Sequence, residues 1–405
     1  MAADTLFHRI TDYANRADPY PLYAELRAER VARQEDGSYL VGTYHEIAEL
    51  LHDPRISSDR RNRSVPDETL GGEEGLAPSF IGLDDPEHHR LRGLAMRSFG
   101  PPHTPGRIDA LQDEIAGIVT DLIAGFRGRD RIDIVDDFAY PLPVTVICRL
   151  LGVPTEDEPQ FRGWSDTIVA GFDPTPGDDP VERQRAGAEA RKAMGLYLGG
   201  LAEKRRAKPA DDMLSAFVSG DGTDGQLTPL EIMTTSVLLL IAGHETTVNL
   251  ITNGVLTLLR HPDQLDRLCK DPMLMPTAVE ELLRYEPPVQ LLPQRTPLAD
   301  IEVAGVTVPK GAPLILMLAS GNRDPERFRD PDRFDPARED NQHLGFGSGI
   351  HSCFGAPLAR LETQIALTGL LRHLGNPRLT EDPPPYRRSP VLRGPRHLVI
   401  EVDQG

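Results

Sequence analysis

The sequence predicts a mainly α-helical fold with small β-sheets. No proline interrupts the chain between Pro229 and Pro262. This allows one helix of roughly 33 residues, about 50 Å long at 1.5 Å per residue. A helix of that length crosses an entire domain, so we expect a single large domain over residues 1–405. Beyond it, the short β-branched runs 301–303 and 306–308 predict a hairpin.

Local signals place the individual elements. The long helix begins at a capping box, Thr228 and Glu231, with Pro229 at its first position. Because 237–242 is apolar on all sides, we expect this helix to be buried along its whole length. Further helices are predicted over 18–29, 85–99, 108–126, 143–151, 181–206 and 356–374, the last with core candidates Leu358, Leu361, Ile365 and Leu371. Strands are predicted near 39–43, 293–316 and 386–402.

The composition excludes several classes of protein. A net charge of -18 argues against nucleic acid as a partner, since phosphate binding needs a basic surface. Cys148, Cys269 and Cys353 are too few and too scattered for a disulfide framework or a four-cysteine zinc site, which indicates a reducing compartment. With no signal-peptide pattern and no apolar stretch long enough to span a bilayer, we expect a cytoplasmic protein that makes no membrane contact.

The strongest chemical signal is the segment from Phe346 to Pro357. It places Cys353 in a glycine-rich loop just before a predicted helix, where backbone amides and the helix terminus stabilise a thiolate. Glycines at 347, 349 and 355 would let the backbone approach a flat, bulky group closely. For a lone cysteine, a small buried residue beside a turn would be the favoured interpretation.

A second signal interrupts the apolar middle of the long helix. The segment 242–247 carries Glu245, Thr246 and Thr247 where an apolar buried helix is expected. An ordinary polar step on a partly exposed face is one interpretation. Half of a zinc-protease motif is excluded, because Val248 stands where the second histidine is required.

Several charged residues have helical spacing. Glu281 and Arg284 lie three apart, and His88 and Arg92 lie four apart, so each pair shares a helix face. Alone, these pairs and Arg295 would be routine solvated charges.

Taken together, these segments resemble the cytochrome P450 family. The loop matches Phe-x-x-Gly-x-x-x-Cys-x-Gly, and the helix matches Ala/Gly-Gly-x-Asp/Glu-Thr, at every position. The resemblance extends over about residues 18–400 and implies the cytochrome P450 fold, a single large domain shaped like a triangular prism. It implies that Cys353 is the axial thiolate of haem b, that Thr246 stabilises bound dioxygen and that Glu245 helps deliver protons.

The resemblance also implies roles for other residues. Further haem contacts would come from His88, Arg92, Ala242, Arg295, Phe346, Gly347, His351 and Gly355. Glu281 and Arg284 would form a buried structural pair joined by Arg338, with Arg333 the less favoured third member. The walls of an apolar substrate pocket would include segments 64–81 and 168–172 and Leu239, Ala242, Val289, Leu291, Leu292, Val391 and Leu392.

The implied activity is a monooxygenase that uses O2 to oxidise a hydrophobic small molecule such as a steroid, terpenoid or polyketide. No flavin- or nicotinamide-binding segment is visible, so NAD(P)H electrons would arrive through a separate ferredoxin and reductase, with Arg97 and Arg360 as docking candidates on a monomer. Two alternatives stay open: a haem-thiolate sensor and a peroxide-driven peroxygenase. Glu245 and Thr246 count against both, since neither needs proton delivery.

Overall fold

The computed structural model describes residues 5–64, 78–100, 104, 106–171, 179–219 and 225–403. Contacts divide the chain into two compact units. The first comprises Met1–Pro66, Ala116–Ala139 and Thr246–Gly405, and the second comprises Asp67–Ile115 and Tyr140–Glu245. Each unit is described by itself below, and the single domain stays a prediction.

Most of the described chain is helical. The helices are α1 (Leu6–Thr11), α2 (Tyr20–Glu29), α3 (Tyr44–His52), α4 (Glu87–Met96), α5 (Gln112–Ala124), α6 (Pro141–Leu151), α7 (Glu158–Ala170), α8 (Pro180–Ala207), α9 (Met213–Val218), α10 (Pro229–Arg260), α11 (Pro262–Lys270), α12 (Met275–Tyr285), α13 (Leu318–Gly321) and α14 (Ala356–His373). Each helix predicted from the sequence is present, with ends that differ by a few residues.

The strands belong to the first unit and are short. They are β1 (Val31–Arg33), β2 (Tyr39–Val41), β3 (Ile56–Ser57), β4 (Arg131–Asp133), β5 (Leu292–Pro297), β6 (Ile301–Val303), β7 (Val306–Val308), β8 (Leu314–Leu316), β9 (Arg378–Leu379) and β10 (Val399–Glu401). They form a five-stranded sheet of order β1-β2-β8-β5-β3, a three-stranded sheet of order β4-β10-β9 and the hairpin β6-β7. The mainly α fold with small sheets is therefore confirmed.

Helix α10 begins as its capping box predicts. The Thr228 amide donates to Glu231 Oε2 at 2.8 Å, and the Glu231 amide donates to Thr228 Oγ1 at 3.3 Å. Val237 and Leu240 are buried, but Ala242, in the middle of the helix, is exposed. The expectation of burial along the whole helix is therefore wrong at Ala242, and also in the first turn, where Leu230 is 44% exposed, whereas His244 and Glu245 are buried.

Helix α14 buries a face that differs from the predicted one. Leu358 is buried, whereas Leu361, Ile365 and Leu371 are only half-buried. The buried face instead carries Glu362, Thr363, Ala366, Leu367 and Leu370. A methyl group added at Gly369 would lie 2.6 Å from Val119 Cγ1, so the close approach of α5 sets the rotation of α14.

The buried face of α14 holds an acid without a partner among the described residues. Glu362 is 2% exposed, its Oε2 has no hydrogen bond, and burial raises its pKa to about 8. The folded chain therefore keeps this proton between the ordinary carboxyl pKa and about pH 8, while the unfolded chain releases it.

We expect the stability of the protein to fall over that pH range. Because the folded state binds the extra proton, each pH unit costs about 1.4 kcal/mol, or about 4 kcal/mol at most between pH 5 and pH 8. Glu362→Gln should flatten this dependence in denaturant titrations at several pH values. If the free energy of unfolding falls with pH equally steeply in wild type and variant, the raised pKa of Glu362 is contradicted.

Candidate active site

The loop before α14 is held in place by its own backbone hydrogen bonds. The Cys353 amide donates to the Phe346 carbonyl at 2.8 Å, and the Gly347 amide donates to the Leu344 carbonyl at 2.8 Å. Gly347 and Gly349 have positive φ angles of 65° and 67°, a conformation that glycine adopts without strain. The local sequence thus dictates a tight turn that brings Cys353 to the start of α14.

The glycines of this loop have two different structural roles. At Gly349 a Cβ atom would lie 2.1 Å from the Leu51 carbonyl oxygen, and at Gly345 it would lie 2.6 Å from that of Leu283, so these residues let the loop pack against α3 and α12. At Gly355 a Cβ atom would meet no heavy atom within 4 Å. This open side lies next to Cys353, which is itself exposed.

The three cysteines occupy different environments. Cys148 is buried on α6, and burial raises its thiol pKa to about 12, which keeps it protonated and inert. Cys269 is exposed on α11, and partial burial also raises its pKa. Only Cys353, among these three, lies in the turn that leads into a long helix with a proline at its start.

A basic residue supports the cysteine loop from α14. Arg360 donates to Glu280 through Nε and Nη2, at 2.7 and 2.9 Å, and its guanidinium lies 4.6 Å from the centre of the Phe346 ring. The hydrogen bond with Glu280 raises the pKa of Arg360 most, and the negative charge of Cys353 raises it further. Sequence reasoning missed Glu280, because only the fold brings α12 beside the loop.

Arg360, a docking candidate for a ferredoxin, also has a contact within the chain, because its guanidinium pairs with Glu280 and lies over the Phe346 ring. Its docking role stays a prediction. Its charge is near enough to Cys353 for the two groups to interact electrostatically.

The motif on α10 places an acid and an alcohol in succession. Glu245 is 4% exposed, whereas Thr246 is half-buried and Ala242 is exposed. Glu245 therefore has almost no direct contact with solvent.

The four predicted carboxylate-binding residues lie on three segments: α4, β5 and the cysteine loop. In the second unit, His88 and Arg92 share one face of α4, and Arg92 lies over the Phe80 ring at 5.9 Å. Burial lowers the pKa of His88 although Nδ1 contacts Asp85 at 3.3 Å, so His88 is neutral near pH 7. In the first unit, Arg295 is 9% exposed on β5, and His351 is half-buried in the cysteine loop.

The structure brings Glu281, Arg284 and Arg338 together. Arg284 binds Glu281 through two hydrogen bonds of 2.7 and 2.8 Å, and both side chains are 0% exposed. Arg338 Nε lies 3.1 Å from Glu281 Oε2. Arg333 contributes its carbonyl oxygen, which accepts hydrogen bonds from both arginines at 3.3 and 3.1 Å.

The predicted pocket residues are distributed unevenly. Leu291 is 2% exposed and packs, with Val391 beside it, in the apolar cluster around Leu26 and Ile315, so it is a core residue of the first unit. Val289 and Leu392 are half-buried and pair through an isolated β-bridge. Leu292 is half-buried and Leu239 is buried. Residues 65–77 and 172 of the predicted walls lie outside the described residues.

The family profile described as Cytochrome P450 matches residues 30–402. The chain belongs to the cytochrome P450 family. The family assignment made from the two motifs is confirmed, and with it the class of enzyme, a haem-dependent oxidoreductase that uses O2. Among the described residues, no helix is long and apolar enough to cross a membrane.

Three comparisons illustrate the relationship. The chain is 42% identical over 96% of its length to the cytochrome P450 monooxygenase PikC of Streptomyces venezuelae, of which it covers 92%. It is 41% identical over 95% of its length to the vitamin D(3) 25-hydroxylase of Pseudonocardia autotrophica, of which it covers 94%. The ligand-free crystal structure of Mycobacterium smegmatis CYP164A2 superposes with a TM-score of 0.86 at 40% identity, over 98% of this chain and 99% of the other.

The residues of the cysteine loop fit the haem of this P450 family. Cys353 is exposed at the end of a rigid turn, Gly355 leaves its Cβ side open, and Arg360 places a positive charge beside the sulfur. A thiolate held in this way is the donor that a haem-thiolate centre requires. The exposed Ala242 gives α10 a face without a bulky side chain at the Glu245 motif.

Proposed function

We propose that this P450 is a monooxygenase that binds haem b through Cys353 and oxidises a hydrophobic small molecule. The observation that carries the proposal is the exposed cysteine at the start of α14, in a loop fixed by its own backbone hydrogen bond. The haem would supply the oxygen chemistry. The side chains of the protein would bind the haem, pair with its carboxylates and control the access of protons and water.

Four side chains would bind the haem carboxylates. Arg295 and Arg92 carry permanent positive charges, and the planar guanidinium suits a carboxylate. His88 can donate one hydrogen bond when neutral and two when protonated, so it can bind a carboxylate in either form. His351, in the turn before Cys353, would join them from the loop. Phe346 and Gly347 would form the floor beneath the ring together with Gly355.

Glu245 and Thr246 would transfer protons during the reaction. Glu245 is nearly fully buried, so its carboxyl group can hold a proton and release it to a neighbouring hydroxyl group. Thr246 is half-buried on the next position of α10, and its hydroxyl can both accept and donate a hydrogen bond. This pair favours a reaction driven by O2 and reductant over a sensor or a peroxide-driven enzyme, which are the alternatives.

The substrate would be a hydrophobic small molecule such as a steroid, terpenoid or polyketide. The predicted walls that are accessible, Val289, Leu292 and Leu392, are aliphatic. One relative is named for the hydroxylation of vitamin D(3), an apolar secosteroid, which supports this class. We further propose that a ferredoxin and its reductase supply the electrons.

A ligand screen combined with Thr246→Ala tests the proposal. Steroids, vitamin D(3), terpenoids and macrolides are added to the ferric protein, and the Soret band is recorded. We expect an apolar member to shift the band, and the same compound to be oxidised when NADPH, a ferredoxin and its reductase are present. Thr246→Ala should lower product per NADPH by about 10-fold or more, because a positioned proton donor is worth that much. No oxygen-dependent product from any compound that shifts the band would overturn the monooxygenase assignment.

A further inference from the structure

Glu280 on α12 contacts residues on both sides of the cysteine loop. Arg360 Nε donates to Glu280 Oε1 at 2.7 Å, and Arg360 Nη2 donates to Oε2 at 2.9 Å. His343 Nε2 lies 3.1 Å from the same Oε2. Because His343 precedes the loop and Arg360 follows it on α14, one carboxylate joins both ends of the loop to α12.

His343 extends this contact to the backbone beside the loop. The Gly345 amide donates to His343 Nδ1 at 3.0 Å. Because Nδ1 accepts this bond, the imidazole carries its proton on Nε2 and donates to Glu280 from there. The His343 side chain is 4% exposed, so water hardly competes for either bond. Glu280 is thereby connected to the residue before Phe346.

Arg360 and His343 also meet at the Phe346 ring. The Arg360 guanidinium lies 4.6 Å from the centre of that ring, within the range of a cation–π contact. The centre of the His343 ring lies 6.0 Å from the centre of the Phe346 ring. The Phe346 carbonyl in turn accepts a hydrogen bond from the Cys353 amide at 2.8 Å. A continuous series of contacts therefore leads from Glu280 to the backbone of Cys353.

These contacts exceed those of an ordinary ion pair. Two hydrogen bonds from a planar guanidinium fix the direction of the Glu280 carboxylate, and the imidazole adds a third. Burial alone would raise the pKa of Glu280, but the hydrogen bonds from Arg360 and His343 lower it to about 2. A single pair between exposed, flexible side chains contributes little to stability. Glu280 is instead a charged residue that three hydrogen bonds hold in one orientation.

We propose that Glu280 is a positioning residue for the cysteine loop, an inference that rests on the proposed role of Cys353 as the haem ligand. Glu280 holds Arg360 and His343 against the Phe346 ring. Phe346 is thereby kept in place, and its carbonyl stays bonded to the Cys353 amide. This bond limits the movement of the sulfur and keeps it in the position of a ligand. Glu280 acts only through these residues and takes no part in the chemical steps.

The chain offers a matched control for Glu280. Glu25 accepts two hydrogen bonds from Arg9, at 2.8 and 3.0 Å, in the same unit. The side chains of Arg9 and Glu25 are 37% and 45% exposed, against 38% and 28% for Arg360 and Glu280. The control pair joins α1 to α2. Glu280→Gln and Glu25→Gln therefore disrupt similar ion pairs, and only the first disturbs the cysteine loop.

Hydrogen exchange on the haem-loaded protein measures how often the loop opens. Glu280→Gln keeps the size of the side chain, but an amide cannot accept all three hydrogen bonds. We expect the backbone amides of 344–353 to exchange about 10-fold faster or more, because hydrogen bonds to a charged group are lost. The hairpin β6-β7 should exchange as in the wild type, and Glu25→Gln should change neither segment. Equal acceleration in the loop and the hairpin, or none in the loop, would overturn the proposal.

A substitution of His343 tests whether the histidine acts through Glu280. His343→Asn can keep the bond with the Gly345 amide, since asparagine accepts from the amide two residues on, but it is too short to keep the bond with Glu280. We expect faster exchange of 344–353 in His343→Asn than in the wild type. Combined with Glu280→Gln, it should add no further acceleration, because both changes break the same contact. Effects that add in the double variant would show that the two residues act independently.

Visible spectra of the reduced protein under carbon monoxide report on the sulfur itself. The red-shifted band requires a thiolate ligand. In denaturant below the unfolding midpoint, we expect Glu280→Gln to lose this band about 10-fold faster than the wild type, because an open loop lets the sulfur leave the iron. Glu25→Gln should stay within about 2-fold of the wild-type rate. Far-UV circular dichroism under the same conditions checks that each protein is still folded.

The two measurements distinguish the positioning role from the function on which it rests. If the wild type shows no red-shifted band, the proposed haem-thiolate function fails, and hydrogen exchange alone decides whether Glu280 holds the loop. If the wild type shows the band and Glu280→Gln loses it no faster than Glu25→Gln, the function stands and the positioning role is overturned.

Discussion

Cys353→Ser is expected to abolish the red-shifted band that the ferrous carbonyl complex shows when sulfur is the axial ligand. A serine hydroxyl stays protonated at neutral pH, so the position loses the anionic, electron-donating ligand on which the reaction depends. We expect product formation to fall by more than the roughly 10- to 100-fold that changes around metal ligands cause. Visible spectra of the reduced protein under carbon monoxide provide the measurement.

The other exposed cysteine serves as the control. Cys269→Ser removes an exposed thiol on α11, away from the loop, and should leave the spectrum and turnover at wild-type levels. Far-UV circular dichroism of both variants checks that each is folded. An unchanged carbonyl band in Cys353→Ser would refute the thiolate assignment, whatever the effect on turnover.

The parts of the fold and site that could be predicted are local in sequence. The capping box at Thr228 and the absence of proline before Pro262 fix α10, because caps and breaks act within one turn of helix. The cysteine loop was predictable for the same reason. Its glycines, its cysteine and the helix that follows occupy 12 consecutive residues, Phe346–Pro357.

What could not be predicted depends on contacts distant in sequence. The buried face of α14 is set by Gly369 against Val119, so Leu361 and Ile365 are only half-buried despite their spacing. Leu291 likewise joins the cluster around Leu26, because the pairing of β5 with β8 decides which side chains face α2. A periodic pattern gives the faces of an element and cannot say which face a distant partner will cover.

The same limit applies to the ion pair on α12. The spacing of Glu281 and Arg284 predicts a shared face and leaves open whether that face is in water. The structure surrounds the pair with groups from the irregular segment 322–341: Arg284 donates to the carbonyls of Asn322 and Pro331 at 2.9 and 2.8 Å, and Asn341 donates to Glu281 at 3.3 Å. One arginine thus ties the helix to a stretch of chain that has little regular structure of its own.

Arg284→Met is therefore expected to destabilise the folded protein by about 3 to 5 kcal/mol, the usual cost of leaving one member of a buried pair behind. Glu281 would keep Arg338, the Asp335 amide and the Asn341 side chain, and two carbonyl oxygens would lose their donor. Arg185 on α8 is the control, since it pairs with Glu182 at the same spacing, with both side chains more than half exposed. Arg185→Met should cost well under about 1 kcal/mol. Denaturant midpoints at equal haem occupancy measure both, and equal shifts would mean that burial adds nothing to the pair.

Adding Glu281→Leu to Arg284→Met should recover part of the lost stability, because the second change removes the charge that the first leaves uncompensated.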